Sequence, residues 1–173
     1  QPPVYHPFRI VPESLGREIV YNPLILGKEG YQMDFEQLEQ VIDDRCKLFI
    51  LSSPHNPGGI VWSKETLIRL AEICARRGVL VISDEIHAEM AFPQYKPRPF
   101  ASVSQEAANN SITFMAPSKT FNIAGIVTSY AIVPNEVIRK RFYSFLEAGE
   151  FNAGTIFAYT ATIAAYTYGA EWL

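Results

Sequence analysis

The amino-acid sequence predicts an α/β fold, a three-layer α/β/α sandwich around a mainly parallel sheet. Three observations carry that expectation. Apolar runs of strand length at 47–52, 79–83 and 111–115 are separated by segments with helical spacing of apolar residues. The run Val79-Leu80-Val81-Ile82-Ser83 is apolar without alternation, as in a strand buried on both faces. Capping residues and glycine stops delimit the intervening helices. Strands alternating with helices in this way place helices over a parallel sheet.

Taken in order, the Pro-rich opening leads into a short helix that should stop near Gly16, and Arg17 to Leu26 reads as extended and broken by Pro23. Asp34 is a good cap for the next helix, because its carboxylate can accept free first-turn N–H groups, with Gln37 three residues on. That helix is expected to reach about Asp44. After the strand at 47–52, Pro54-His55-Asn56-Pro57-Gly58-Gly59 forces a turn. Ser63 should cap a helix of roughly 14 residues, with Leu67, Leu70, Ala71 and Cys74 on its apolar face and Gly78 as its stop. Ser111 to Met115 and Thr128 to Val133 read as further strands. Asn135 should cap a helix to about Glu147, and a last helix, Thr155 to Tyr168, is Ala- and Tyr-rich and expected to be mostly buried.

Composition narrows the function classes. The 173 residues are 48% apolar and carry a net charge of −3, which suits one globular core and offers no basic face to neutralise phosphates, so nucleic acid is not an expected partner. No apolar run approaches the ~20 residues of a membrane span. Two cysteines, Cys46 and Cys74, make no disulfide framework, and Cys74 reads as a core thiol. Three histidines without clustered Cys/His spacing do not suggest a metal site. No signal-peptide pattern is evident, and a reducing, cytoplasmic compartment fits. The opening at Gln1 and the close within a helical pattern suggest a fragment of a longer protein.

In sheets of this kind ligands bind beyond the carboxyl ends of the strands. Asn56 lies just past the strand at 47–52, Asp84 at the end of 79–83, and Lys119 just past 111–115. If those strands are parallel, all three share one edge, and they point to one site. Spacing alone leaves Lys119 open as a phosphate contact, a salt-bridge partner or an imine former. Asp84 and Glu85 could equally be a solvated pair, and Glu85 reads as structural. His55 reads as an exposed turn residue, His6 as a surface or packing residue, and the aromatics of 157–172 as helix packing.

The motifs around these residues add a resemblance. Ala116-Pro117-Ser118-Lys119-Thr120-Phe121-Asn122-Ile123-Ala124-Gly125 resembles the lysine motif of fold-type I pyridoxal-5'-phosphate (PLP) enzymes. Ser53-Pro54-His55-Asn56-Pro57 resembles their Asn-Pro turn, and Ser83-Asp84-Glu85-Ile86-His87 their aspartate strand. The motifs keep the family's order, with 28 residues from Asn56 to Asp84 and 35 from Asp84 to Lys119. Within the superfamily, the opening Pro3-Val4-Tyr5-His6-Pro7-Phe8 and the Asp-Glu-Ile-His sequence look like the cystathionine β-lyase-like C–S lyases.

The resemblance implies roles. Lys119 holds PLP as an imine and, once freed, takes the Cα proton. Asp84 faces the pyridine nitrogen and keeps the ring protonated. Asn56 bonds the ring's phenolic oxygen, Tyr5 makes an aromatic contact near the cofactor, and Ser118 is the nearest phosphate contact. His87 stands where many aminotransferases have a Tyr; it either takes over that contact or packs locally. The implied activity is β-elimination on L-cystathionine or related L-cysteine S-conjugates. An aminotransferase shares the same central residues, and a transcriptional regulator retaining the PLP-binding domain is the rival from another class. Residues 1–173 then correspond to the central part of the large domain, lacking the N-terminal arm and the C-terminal small domain. The implied partners are a small amino-acid substrate and, in the intact protein, a second identical subunit. On its own the chain is expected to bind PLP poorly and to be inactive.

Overall fold

A computed structural model describes residues 1–28 and 30–173. Helix α1 (Pro7–Ser14) carries proline at its first position, where a missing N–H costs nothing, and the chain turns away at Gly16 with φ +67°. Strands β1 (Ile25–Gly27) and β2 (Gly30–Gln32) form a small antiparallel pair. Helix α2 (Phe35–Val41) is capped as expected, Asp34 Oδ1 accepting from Gln37 N at 2.9 Å. It ends three residues short of the expected Asp44. The cause is local: Asp43 Oδ1 accepts from Arg45 N at 2.9 Å, so its carboxylate closes a turn two residues on and competes with another helical turn. Gln37 does not complete a capping box; its side-chain oxygen accepts from Asn22 Nδ2 instead.

The main sheet has four strands in the order β3 (Leu48–Ser52), β4 (Leu80–Asp84), β5 (Ser111–Met115), β6 (Tyr130–Ile132). β3–β4 and β4–β5 are parallel and β5–β6 is antiparallel, so the sheet is mixed, with its parallel part where the motifs fall. Ser52 and Phe114 both pair with Asp84 in register. β6 is shorter than the expected 128–133.

Helix α3 (Lys64–Arg76) crosses from β3 to β4. Ser63 Oγ accepts from Thr66 N at 3.1 Å at its start. At its end Val79 N donates to Cys74 O at 2.8 Å around Gly78, whose φ of +65° suits the left-handed C-cap that glycine adopts without strain. Leu67, Leu70, Ala71, Ile73 and Cys74 are buried, and with Leu51, Val81, Phe100 and Ala107 they form one core. Burial pushes the Cys74 thiol up to about 12, as a core thiol requires. α4 (Gln105–Asn109), not anticipated from the sequence, is capped by Ser104 and packs on α3.

Beyond the lysine motif, α5 (Pro117–Thr120) is a single turn. α6 (Glu136–Ala148) is capped by Asn135, whose Oδ1 accepts from Val137 N and Ile138 N, and α7 (Ile156–Tyr168) by Thr155. Two expectations fail. α7 is not mostly buried: of its residues only Ala158 is, while Phe157 is 75% and Ile163 66% exposed. Its apolar residues follow no single face, so no one contact within this chain can cover them. β4 is buried on one face only: Val81 and Ser83 are fully enclosed, whereas Leu80, Ile82 and Asp84 are partly exposed. Among the described residues no helix is long and apolar enough to cross a membrane, and no group of three His, Cys, Asp or Glu side chains could hold a metal ion.

Candidate active site

The parallel register of β3, β4 and β5 sets Asn56, Asp84 and Lys119 at one edge of the sheet. Asp84 is the last residue of β4; Asn56 follows Ser52 by four residues and Lys119 follows Phe114 by five. The three chain segments are tied together there: Ser53 N donates to Asp84 O at 2.9 Å and Glu85 N to Phe114 O at 2.9 Å.

The Asn56 turn is held by its neighbours. Asn56 N donates to Ser52 Oγ at 3.0 Å, His55 N to Ile60 O at 2.8 Å, and Trp62 Nε1 to Ser52 O at 2.8 Å. The Asn56 side-chain amide takes no part in these bonds and stays partly exposed. His55 corrects the sequence reading. It is not an exposed turn residue but is 4% exposed, edge-on to Trp62, with Nδ1 accepting from Gly58 N. Burial lowers its pKa to about 4, so it is neutral at physiological pH. Tyr5 N donates to Asn56 O at 3.1 Å, which brings the Tyr5 segment to the same turn; its ring packs edge-on against His6 and Phe8 and is 43% exposed.

Asp84 is the electrostatic centre. Burial raises its pKa, opposed by the hydrogen bond from Ile86 N and by the neighbouring His87. Among the described residues, no lysine or arginine pairs with it. A largely desolvated carboxylate without a basic side chain beside it suits a cationic ligand group such as a protonated pyridine nitrogen, the charge it would otherwise lack. Glu85 points elsewhere. It is 2% exposed, its Oε1 accepts from Ser83 Oγ and Phe100 N at 2.8 Å each, and it fastens the loop after β4 to the core. The structural reading of Glu85 therefore stands.

His87 begins the short 3-10 turn Ala88–Met90, is partly exposed, and lies close enough to Asp84 to favour its ionised form. Lys119 is exposed on α5, between buried Pro117 and Thr120, and belongs to none of the ion pairs among the described residues. Its surroundings form an open hollow with Met90, Asn122 and Trp172. Ser118 is partly exposed, and its carbonyl accepts from Ile123 N at 3.0 Å. Thus Tyr5 is bonded to Asn56, the Asn56 turn is tied to Asp84 through Ser53, and His87 lies beside Asp84. The turn bearing Ser118 and Lys119 is tied to the segment after His87 by Glu89, to which the sequence assigned no role: Thr120 Oγ1 donates to Glu89 Oε2 at 2.8 Å, and Tyr166 OH, expected only to pack, donates to the same oxygen at 3.3 Å.

Comparison with known proteins places the chain in a family. Residues 1–166 match the family described as aminotransferase class I and II, and the chain belongs to that family. It is 46% identical to cystathionine beta-lyase PatB of Bacillus subtilis (strain 168), over 100% of this chain and 45% of PatB. It is 35% identical to protein MalY of Escherichia coli (strain K12), over 99% of this chain and 44% of that protein. The crystal structure of cystalysin from Treponema denticola, which contains a PLP cofactor, superposes with a TM-score of 0.91 at 35% identity and covers 99% of this chain and 44% of that one. The chain thus spans less than half the length of these curated relatives.

Proposed function

We propose that the protein to which this chain belongs is a PLP-dependent carbon–sulfur β-lyase acting on L-cystathionine or related L-cysteine S-conjugates. The convergence of Asn56, Asp84 and Lys119 at the carboxyl edge of β3–β4–β5 carries the reading, and the 46% identity to a cystathionine beta-lyase supports the lyase over other members of the family. Lys119 is the residue that holds the cofactor, with Asp84 at the ring nitrogen and Asn56 at the phenolic oxygen. Tyr5, His87 and Ser118 complete the contacts to ring and phosphate. Bound PLP supplies an electron sink that makes the substrate Cα proton acidic.

The chain's own residues do the rest. The Lys119 amine takes the Cα proton. Asp84, desolvated and therefore strongly favouring a cation beside it, keeps the ring nitrogen protonated. Asn56 donates to an oxygen that carries negative charge. The Cβ–S bond then breaks with its electron pair on sulfur as the Cα electrons form the Cα=Cβ bond, the sulfur leaves as a thiol with the proton that Lys119 would return, and water converts the released aminoacrylate to pyruvate and ammonia.

Residues 1–173 constitute, on this reading, the central part of the PLP-binding large domain, a three-layer α/β/α sandwich in the whole protein. The N-terminal arm and C-terminal small domain lie outside it, and the intact protein is a homodimer. The exposed side chains of α7 and the half-covered face of β4 support a larger assembly. An aminotransferase is the second reading, favoured by the family itself; there no β substituent would be expelled, and the Lys119 amine would return the proton it took.

The test supplies the intact parent protein with L-cystathionine and no keto-acid acceptor. Steady pyruvate release, lost in Lys119→Ala, is the expected result. A single-turnover change of the visible spectrum without pyruvate would replace the lyase with the aminotransferase. Absence of bound cofactor would remove the reading.

A further inference from the structure

We propose that Glu89 is a positioning residue for Lys119: its carboxylate locks the lysine-bearing turn to the end of the aspartate strand. The inference rests on the function proposed above and deepens it.

α5 is four residues long, far below the length at which a helix stands by itself, and Ala116 gives its N-terminus no side-chain cap. Its orientation must come from outside. Pro117 is buried and anchors one end. At the other end Thr120, 2% exposed, donates its hydroxyl to Glu89 Oε2 at 2.8 Å. Glu89 sits in the Ala88–Met90 turn, five residues after Asp84. The same Oε2 accepts from Tyr166 OH of α7 at 3.3 Å, and Tyr130 OH of β6 donates to Tyr166 OH at 3.1 Å. Phe121 packs edge-on against Tyr166 at 5.3 Å and closes the cluster.

One carboxylate oxygen therefore gathers α5 and α7, and through Tyr166 reaches β6, at the point where the chain has just left Asp84. Hydrogen bonds to a charged acceptor are among the stronger ones available to side chains. Removing Glu89 leaves the Thr120 hydroxyl buried without a partner and frees the single turn that aims Lys119. A reactive group displaced by ~1 Å costs up to ~10²-fold in rate while leaving substrate binding largely intact.

The experiment uses the intact, cofactor-loaded parent protein and the variants Glu89→Ala, Glu89→Gln, Thr120→Val and Thr120→Ser. Borohydride reduction and peptide mass mapping locate the cofactor. The pH midpoint of the resting visible band reports how the lysine is held, and kcat and KM for pyruvate release are separated. Expected are cofactor on Lys119, a displaced midpoint and a ~10- to 10²-fold lower kcat at similar KM in Glu89→Ala and Thr120→Val. Thr120→Ser, which keeps the donor, should restore most of the Thr120→Val loss. Glu89→Gln, which keeps an acceptor of the same shape, should retain most of the midpoint and of kcat; if Glu89→Ala does not fold, Thr120→Val, which removes the donor and leaves the carboxylate in place, decides the matter. Midpoint and kcat unchanged in folded Glu89→Ala or Thr120→Val, even with a lower melting temperature, would reduce Glu89 to a structural contact. Failure to find the cofactor on Lys119 in the unsubstituted protein would overturn the function and this inference together.

Discussion

The two halves of the chain treat apolar residues in opposite ways. From Leu24 to Ala107 they gather into one core around α3, where Leu67, Leu70 and Cys74 have no exposed surface. From Lys119 onward only Val133 and Ala158 among the hydrophobic residues are buried, while Val127, Phe145, Phe151, Ile156, Phe157 and Tyr168 are each at least 69% exposed. Large exposed apolar surface is rare on a finished monomer, and within this chain the second half leaves its own uncovered. The candidate site lies on the seam. Asn56 and Asp84 come from the packed half, and Lys119 opens the uncovered one. The packed half can hold its residues by core contacts, whereas Lys119 depends on a few hydrogen bonds.

The largest effect expected is at the seam itself. Lys119→Ala in the intact protein should lower kcat/KM for pyruvate release by ~10³-fold or more, since both the cofactor tether and the proton acceptor are lost. Retention of more than a tenth of the activity would remove Lys119 from its role. Next comes the contrast between halves, read by urea unfolding of residues 1–173. Leu70→Ala, fully enclosed on α3, should destabilise by ~2–5 kcal/mol. Ile163→Ala on α7, two-thirds exposed, should change stability by under ~0.5 kcal/mol. Equal losses at the two sites would mean that the second half has a core of its own, and the contrast would fall.

The same contrast explains what the sequence could disclose. In the packed half local chemistry and tertiary structure agree: Asp34 and Ser63 cap where expected, Gly78 stops α3, and the parallel register of β3–β5 follows from the order of apolar runs. That the three central candidates, Asn56, Asp84 and Lys119, fall at one sheet edge was legible for the same reason, each lying at or just past a strand end. Misreadings arose where distant contacts decide. His55 looks like a turn residue in sequence but is enclosed by Trp62, seven residues on, whose indole is held over the turn by its bond to Ser52 O. α4 is too short to show a period and rests on the Ser104 cap and α3. α7 has the composition of a buried helix, but within this chain Ala158 is its one buried residue. The Glu89–Thr120–Tyr166 cluster joins residues up to 77 apart in sequence, and no motif announces it.

The smallest effect concerns the unpaired carboxylate on the packed side of the seam. Burial raises the pKa of Asp84, and that of Glu85 for the same reason, so the folded chain holds protons that the unfolded chain has released. Folding then binds more protons than unfolding over the window from the ordinary carboxylate range up to the raised values, and stability must fall as pH rises through it. Asp84→Asn removes a desolvated charge without changing shape. In the cofactor-free chain it should raise the melting temperature at pH 7 and flatten the decline with pH, leaving the part due to Glu85. In the cofactor-loaded parent protein the sign should reverse, because the asparagine cannot keep the ring nitrogen protonated and the bound state loses its ion pair. Melting curves across pH 4 to 8, with and without PLP, measure both. If Asp84→Asn lowered the melting temperature of the cofactor-free chain, the carboxylate would already have a partner within residues 1–173, and the seam would not be waiting for a cation.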